Sequence, residues 1–264
     1  MEKSIRTVAQ EAPVLEFTGE RIVPGKTAEE LFREHEVRYV FAGKFAAGKE
    51  VLDVACGTGV GTAFLRQSGA NQVWGLDIDQ ESISFAKAKY RDCEFAQSDA
   101  TELCLPDNSV DLVVSFETLE HLKDQKKFLK ECRRVLRSHG IFICSTPNTT
   151  IYHLVGANQA NQYHVHELAT TEFENMLKEE FDELQLFSQA ERVYPVFLLK
   201  RFVVQMLDRL NLKGTIKRIL EIKAPPPSMR DRFSADGGLT HGIQPYRRSW
   251  LVRPTYVVAV GRKT

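Results

Sequence analysis

Hydrophobic positions along the chain follow two alternating spacings. Between residues 28 and 45 apolar side chains recur every three or four positions, which predicts a helix. Beyond it, short apolar runs predict buried strands, and stretches of helical spacing separate them. The predicted strands are 50–55, 72–77, 92–97, 110–115 and 140–145, and the predicted helices between them are 61–67, 80–90 and 123–137.

This alternation of strands and helices indicates an α/β fold, in which right-handed crossovers build a parallel sheet with helices on both faces. In such folds ligands bind at the carboxyl ends of the strands. Further along, the pattern predicts a helix at 170–179, a strand at 182–189 and a last strand at 255–260. We therefore expect an N-terminal arm and helix at 1–48, an α/β domain built from 49–190 and 254–264, and an inserted cap at 191–253.

Composition and targeting signals narrow the class of protein. The 264 residues include 35 basic and 35 acidic side chains and 43% hydrophobic residues, which excludes disordered and collagen-like chains. No apolar stretch approaches the roughly 20 residues of a membrane span, and the first residues are too polar for a secretory signal. The five cysteines have no C-x-x-C spacing, which favours neither a disulfide framework nor a zinc site. We expect a cytoplasmic protein with reduced thiols.

Charge is distributed unevenly along the chain. From residue 191 onward there are fifteen basic and five acidic side chains, and the remainder carries the balancing negative charge. The inserted cap should stand over the cleft at the strand ends, where Arg230, Arg247 and Arg248 have the forked donors to clamp phosphates of an anionic acceptor. The alternatives are that the basic segment faces the acidic body of the protein, lies on a membrane through a helix predicted at 196–212, or contacts a second subunit.

A glycine-rich turn follows the first strand of the α/β domain. Asp53 lies near the end of that strand, Gly57, Gly59 and Gly61 come next, and Asp77 ends the second strand. Glycines let a ligand reach bare backbone N–H groups, and a carboxylate at the second strand can accept both hydroxyls of a ribose. The spacing G-x-G-x-x-G is missing, and the charge of Asp53 repels a pyrophosphate but attracts an ammonium or sulfonium. The turn therefore favours a cationic cofactor.

Five segments within residues 50–146 together resemble the class I S-adenosylmethionine-dependent methyltransferases. They are 51–59 (VLDVACGTG), 75–79 (GLDID), 98–100 (SDA), 105–115 (LPDNSVDLVVS) and 136–140 (LRSHG). The resemblance implies a Rossmann-like, seven-stranded, mostly parallel sheet whose last strand is antiparallel. It also implies S-adenosylmethionine as cofactor and S-adenosylhomocysteine as product. The sequence departs from the family at Ala55, where glycine is frequent.

By that resemblance, Asp53 and Gly57 hold the methionine end of the cofactor, Asp77 holds the ribose, and Ile78 packs on the adenine ring. The complete cofactor set that it implies is Tyr39, Asp53, Ala55, Gly57, Gly59, Asp77, Ile78, Asp99, Ala100, Ser115 and Phe116. Arg21 and Tyr39 belong to an N-terminal lid over the cofactor, with simple packing of this arm as the alternative.

The chain after the fourth predicted strand reads Glu117-Thr-Leu-Glu120-His121. If a helix starts here, these three charged or polar side chains share one face and can ligate a divalent cation. The segment is similar to the metal-binding segment of small-RNA 3′-terminal and ubiquinone-pathway methyltransferases, which implies Mg²⁺ or another divalent metal and a further ligand, His164 or His166. The alternative is a helix stabilised by acids in its first turn. We expect Glu117, His121 and His164 to be catalytic; without a metal, His121 or His164 would remove the proton of an acceptor hydroxyl.

Residues 17–25, 35–39 and 163–168 narrow the resemblance to a bacterial group of methyltransferases found with polysaccharide and sugar-modifying pathways. It implies O-methylation of a sugar or a phosphorylated small molecule, with Arg21 and His166 near the acceptor. Nucleic acid is disfavoured because the cap has few aromatic residues and the chain has no net positive charge. The alternatives are an RNA or lipid-linked acceptor, and a protein that binds the cofactor without turnover.

Overall fold

A computed structural model of the protein describes residue 15 and residues 21–149, 163–193, 242–246 and 252–264. The helix predicted at 196–212 and the three arginines expected to clamp phosphates, Arg230, Arg247 and Arg248, lie outside the described residues. In the part of the chain that the structure describes, no helix is long and apolar enough to cross a membrane.

Strands and helices alternate as the pattern predicts. The helices are α1 (Glu29–Gly43), α2 (Val60–Gln67), α3 (Gln80–Lys89), α4 (Gln125–Val135) and α5 (Thr170–Glu180). The strands are β1 (Glu50–Val54), β2 (Gln72–Asp77), β3 (Glu94–Gln97), β4 (Val110–Phe116), β5 (Leu136–Pro147), β6 (Glu183–Val193), β7 (Ile243–Pro245) and β8 (Val252–Arg262). The elements predicted within the described ranges are confirmed, and β7 is additional.

The strands form a single sheet in the order β3-β2-β1-β4-β5-β8-β6-β7. Strands β1 to β5 are parallel, and β8 runs antiparallel between β5 and β6. The Rossmann-like, mostly parallel sheet with an antiparallel last strand is therefore confirmed. The described sheet has eight strands in place of the expected seven, because β7 pairs with β6 at the edge. A three-residue strand is too short for hydrophobic alternation to mark it.

Apolar layers cover both faces of the sheet, which explains why its central strands read as continuous apolar runs. The layer formed with α4 and α5 includes the buried residues Phe128, Leu129, Phe142, Phe173 and Leu177. The layer formed with α1 and α2 includes Val37, Phe41, Val51, Leu65 and Ile141. Full burial of each such side chain stabilises the fold by roughly 1.5–3 kcal/mol. The two layers fix the sheet, and the sheet in turn fixes the loops at its carboxyl edge.

No helix begins at Glu117, so the condition for a helical face shared by the acidic residues and His121 is not met. Leu119–His121 make one turn of 3-10 helix, and α4 begins at Gln125, where the side chain of Asp124 accepts the N–H of Lys127 at 2.9 Å. Glu117 has a φ of 52°, in the left-handed region that no right-handed helix contains. Glu117, Glu120 and His121 therefore do not share one helical face.

Candidate active site

A cleft of about 1120 Å³ lies at the carboxyl ends of the parallel strands. Its lining combines the glycine turn after β1, the ends of β2 and β4, and one side of α1. The predicted cofactor residues that line it are Tyr39, Ala55, Gly57, Asp77, Ile78, Asp99, Ala100 and Phe116. The other predicted cofactor residues, Asp53, Gly59 and Ser115, are not among its lining residues.

The glycine turn is tied to the end of β2 through Asp77. One carboxylate oxygen of Asp77 accepts the N–H of Gly57 at 2.7 Å, and the other accepts the N–H of Asp79 at 2.8 Å. Burial raises the pKa of Asp77, against the lowering effect of these two N–H groups. Ala55 has a φ of 59°, so it takes the left-handed conformation for which the family uses glycine.

Asp53 lies behind the cleft wall and is fully buried. Its carboxylate accepts the hydroxyl of Thr62 at 2.7 Å and that of Tyr39 at 3.1 Å. Burial raises the pKa of Asp53 to about 7, against the lowering effect of these hydrogen bonds. Asp53 thus holds the Tyr39 ring, and it is this ring that lines the cleft.

Two glycines of the turn are required by close packing. A Cβ at Gly61 would lie 1.9 Å from the Tyr39 ring, so no larger residue fits while the ring stays. A Cβ at Gly59 would lie 2.8 Å from both Ala86 and Phe95, and the φ of Gly59 is 78°. Gly59, predicted to contact the cofactor, therefore serves the packing of the turn against α3 and β3.

The far end of the cleft offers an apolar surface beside an acid. Ile78 is 67% exposed, which is unusual for a large apolar side chain next to a buried strand. Asp99 accepts both the backbone N–H and the hydroxyl of Thr101, at 2.7 and 2.8 Å, and these bonds lower its pKa. Both residues line the cleft together with Ala100, as the resemblance implies.

The segment before α1 packs over this same end of the cleft. Arg21 donates to the carboxylate of Asp79, the N-cap residue of α3, and to the hydroxyl of Ser82 at 3.0 Å. The hydroxyl of Thr58 donates to the carbonyl of Ile22 at 2.8 Å. Arg21, expected near the acceptor, is placed beside the residues that follow Asp77.

The end of β4 presents Phe116 and Glu117 to the cleft. Ser115 is buried, and its hydroxyl donates to the carbonyl of Val54 at 3.1 Å, so this predicted cofactor residue joins β4 to β1. Phe116 meets the Tyr39 ring edge to face, with 5.1 Å between centroids. Glu117 accepts the hydroxyl of Ser145 at 2.6 Å.

Two residues of α1 within the segment 35–39 contribute to this region, although the sequence predicts no cofactor or catalytic role for them. Arg38 is fully buried, and its Nη1 lies 3.6 Å from Oε1 of Glu117. His35 lines the cleft. Burial and then the charge of Arg38 lower the pKa of His35 to about 3, so its imidazole is neutral. The helical spacing of His35, Arg38 and Tyr39 indicates that they lie on one side of α1.

Glu120, His121 and His164 form a compact cluster in the cleft. One ligand atom of each lies within 4.8 Å of the others. The backbone carbonyl of Glu120 accepts the N–H groups of Val165 and His166, at 2.8 and 3.1 Å, which brings His164 to this position. His166 is exposed and is not among the residues that line the cleft. Of the two histidines expected to complete the set, His164 is therefore the one that joins it.

Both imidazoles of the cluster are oriented through Nδ1. The Nδ1 of His121 lies 3.1 Å from the carbonyl oxygen of Tyr163, and the Nδ1 of His164 lies beside the carboxylate of Glu167. Because these partners accept hydrogen bonds, Nδ1 carries the proton in each ring, which leaves Nε2 as the basic atom. The rings meet at 80° with 4.9 Å between centroids.

The cluster fits a divalent cation. Glu120 is 1% exposed, Oε2 accepts the hydroxyl of Thr146 at 3.1 Å, and Oε1 has no hydrogen-bond partner within the described ranges. Burial and then the charge of Glu117 raise the pKa of Glu120 well above its usual value, so a bound cation would replace a proton. Imidazoles whose Nδ1–H donates to a carbonyl or carboxylate are the usual form of metal-binding histidines. Glu117, expected as a ligand, lies outside this cluster.

Known proteins share both the sequence segments and the fold. Residues 52–144 match a family model described as a methyltransferase domain. The chain is 41% identical over 165 residues to a "probable S-adenosylmethionine-dependent methyltransferase" of Mycolicibacterium smegmatis, over 62% of this chain and 64% of that protein. It is 35% identical over 99 residues to a fatty-acid O-methyltransferase of the same species, over 36% of each. The chain thus spans less than two thirds of the length of these relatives.

A solved structure of a SAM-dependent methyltransferase from Archaeoglobus fulgidus aligns with a TM-score of 0.57 at 19% identity, over 89% of this chain and 95% of that chain. Residues 52–144 are therefore a methyltransferase domain, and the sheet has the fold of that solved structure. S-adenosylmethionine is the cofactor of this methyltransferase domain. The cleft at the carboxyl edge of the sheet lies where folds of this kind hold their ligands.

Proposed function

We propose that this chain is an O-methyltransferase that moves the methyl group of S-adenosylmethionine to a hydroxyl of a sugar or a phosphorylated small molecule. The observation that carries the proposal is the continuity of a single cleft from Asp77 and Ile78 to the cluster of Glu120, His121 and His164. An acceptor seated at the cluster has a proton acceptor within the same cavity as the cofactor. A protein that only stored the cofactor would have no use for that second group.

The cofactor end of the cleft supplies recognition. The carboxylate of Asp77 accepts the ribose hydroxyls, the exposed face of Ile78 packs on the adenine, and Asp99 with Ala100 meets the adenine edge. Backbone N–H groups of the turn at Gly57 contact the methionine end. Asp53 acts indirectly in this scheme, because it holds the Tyr39 ring in the cleft wall.

Methyl transfer is an in-line displacement at the cofactor's methyl carbon. The acceptor oxygen forms the new bond to carbon, the carbon–sulfur bond breaks, and the sulfonium becomes a neutral thioether. In the site without a metal, the acceptor's proton passes to Nε2 of His121 or His164, whose Nδ1–H groups are already bonded to Tyr163 and Glu167. The protein mainly supplies position and this one proton acceptor.

Glu120, His121 and His164 are the residues that would hold a divalent metal such as Mg²⁺ in this cleft. When bound, the metal would orient an acceptor hydroxyl and lower its pKa. Glu117 stays a catalytic candidate through its place in the cleft wall rather than as a metal ligand. The exposed His166 stays a candidate for contact with the acceptor.

A lipid or lipid-linked acceptor is the second candidate. The fatty-acid O-methyltransferase that resembles this chain favours it, as does the apolar part of the cleft wall formed by Leu31, Phe32 and Phe64. In either case we assign acceptor binding to the basic segment 191–253 and cofactor covering to residues 1–48. The proposal includes a cytoplasmic location, which suits five cysteines that are all free.

The test is release of S-adenosylhomocysteine from S-adenosylmethionine by the purified chain. Anion-exchange fractions of a polar metabolite extract and fractions of a lipid extract are supplied separately as acceptors. Release confined to strongly retained polar fractions supports a phosphorylated acceptor, and release confined to lipid fractions selects the second candidate. Binding of the cofactor without release in any fraction would leave a non-catalytic protein.

A variant pair assigns the proton acceptor in the same assay. His121→Ala is expected to slow release at least about 100-fold while sparing the affinity for S-adenosylhomocysteine. His139→Asn is the matched control, because His139 lies near the amino end of β5, is not among the residues that line the cleft, and has a φ of 63° that asparagine tolerates. Wild-type rates in His121→Ala would remove His121 from the mechanism.

A further inference from the structure

The ion pair between Arg38 and Glu117 lies in the cleft wall beside the end of β4. The side chain of Arg38 is 1% exposed, that of Glu117 is 15% exposed, and Nη1 and Oε1 are 3.6 Å apart. Glu117 is among the lining residues of the cleft, whereas Arg38 is not. A ligand can therefore meet the carboxylate but not the guanidinium behind it.

Two further contacts fix the guanidinium behind Glu117. Its Nε donates to the side-chain oxygen of Gln189 at 2.8 Å, and its carbon lies 4.4 Å from the centre of the Tyr256 ring. Nη1, the atom nearest Glu117, has no hydrogen-bond partner among the described residues. A buried cation with an unbonded N–H is costly unless a negative charge stands beside it. Glu117 provides that charge.

Glu117 is also held from its other side. The hydroxyl of Ser145 donates to Oε1 at 2.6 Å, and Arg38 approaches the same oxygen. The φ of Glu117 is 52°, a conformation that residues other than glycine avoid and that persists only where the surroundings enforce it. The strained backbone at Glu117 costs stability, and the contacts of its side chain offset that cost. These contacts keep the carboxylate at one place in the cleft.

We propose that Glu117, positioned by Arg38, is the group by which the cleft prefers S-adenosylmethionine to S-adenosylhomocysteine. The inference rests on the proposed function, because it takes the cofactor's sulfur to lie beside the end of β4. The cofactor carries a positive sulfonium, which a partly buried carboxylate attracts, and the product carries a neutral thioether, which it does not. Arg38 acts through Glu117 and is a positioning residue.

This preference acts on cofactor exchange rather than on the chemical step. The positive charge leaves the sulfur as the methyl group moves, so the attraction is not stronger in the transition state and does not accelerate the transfer. It is present when the cofactor enters and absent when the product leaves. Replacement of product by fresh cofactor is thereby favoured in each turnover.

Calorimetric dissociation constants of the two compounds on the full chain test the proposal without an acceptor. In Glu117→Gln the ratio of the product's constant to the cofactor's is expected to fall about tenfold, because a charge-assisted contact is lost. Arg38→Met is expected to lower the ratio to a similar extent, and the double variant to lower it no further. Phe173→Leu, a core change in the opposite apolar layer, is the control that destabilises the fold and keeps the ratio.

Each outcome decides a separate point. An unchanged ratio in Glu117→Gln overturns the inference, and an unchanged ratio in Arg38→Met alone reduces Arg38 to a packing role. If Arg38→Met does not fold, the double variant decides, because it contains no unpaired buried charge. If the double variant folds, the result supports the ion pair between Arg38 and Glu117. If the double variant does not fold, the result overturns the positioning role of Arg38. A wild-type chain that binds neither compound would instead contradict the proposed function.

Discussion

The carboxylate of Asp77 and the backbone N–H of Gly57 are joined by a hydrogen bond of 2.7 Å between the ends of β2 and β1. The bond fixes the glycine turn relative to the acid that is expected to hold the ribose. Asp77 also accepts the N–H of Asp79, so one side chain orders both loops of the cofactor end. Loss of this side chain therefore acts on the ligand and on the loops together.

Asp77→Ala is expected to weaken S-adenosylhomocysteine binding by about 10- to 100-fold, the effect of losing hydrogen bonds to a charged group. Isothermal titration calorimetry measures it. Asp107→Asn is the control, since Asp107 pairs with Arg134 away from the cleft and its loss should leave the affinity unchanged. Equal affinities in wild type and Asp77→Ala would remove Asp77 from the cofactor site.

Gly61→Ala is expected to displace the Tyr39 ring, because the added Cβ would stand 1.9 Å from it. The displacement breaks the hydrogen bond to Asp53 and should lower the free energy of unfolding by about 1–3 kcal/mol. Urea denaturation measures the change. In a Tyr39→Ala background the same substitution should cost little, since the ring is gone. Equal costs in both backgrounds would contradict the steric explanation.

The cluster of Glu120, His121 and His164 predicts which substitutions weaken the binding of a divalent metal. His164→Ala is expected to weaken Mn²⁺ or Zn²⁺ binding by at least about tenfold, because one of three ligand groups is lost. Glu117→Gln is the matched variant, and its effect should be smaller because Glu117 lies outside the cluster and acts on Glu120 only through its charge. Calorimetric titration with each metal gives both values. A loss in Glu117→Gln with none in His164→Ala would reverse the assignment.

Asp53 makes stability depend on pH in a defined direction. Its pKa is about 7 in the folded chain against an ordinary value of 3.8, so between these values the folded state holds the extra proton. This contribution to stability is fully present below the lower value and is lost as the pH rises through about 7. Relative to Asp53→Asn, the wild type should therefore lose unfolding free energy between about pH 4 and pH 7.

Asp182→Asn serves as the control for that measurement. Hydrogen bonds from Thr264 and Arg133 lower the pKa of Asp182 to about 2, so its contribution is present above 3.8 and is lost only as the pH falls through about 2. The free energy of unfolding of Asp182→Asn, plotted against pH, should run parallel to that of the wild type in the same pH range. Parallel curves for wild type and Asp53→Asn would show that Asp53 is not buried as a neutral acid.

Much of the sheet could be predicted because burial on both faces leaves a continuous apolar signal, as at β1 and β4. The cleft lining beside β2 and β3 could be predicted because its residues are local to strand ends. Asp77 ends β2, Ile78 follows it, Asp99 lies just beyond β3, and all three line the cleft. For these three residues, the local sequence determines both their position in the fold and their nearest neighbours.

The catalytic end could not be predicted in the same way, because distant residues decide it. No helix starts at Glu117, because Glu117 itself has a left-handed backbone conformation. Its side chain contacts Ser145 and Arg38, neither of which is near it in sequence. His164 reaches the cluster only because its neighbours bond to the carbonyl of Glu120. Arg38 lies in the segment 35–39 on a helical pattern, but nothing near it in sequence indicates that Glu117 is its partner.

Strand β8 lies between β5 and β6 although it comes from residues 252–262. During synthesis, β5 therefore emerges well before the strand that covers its open edge. Contacts of such high sequence separation form late, and an uncovered apolar edge is a template for pairing with other chains. We expect the nascent protein to depend on chaperones while β5 waits for β8, and aggregation to be the main hazard of its expression.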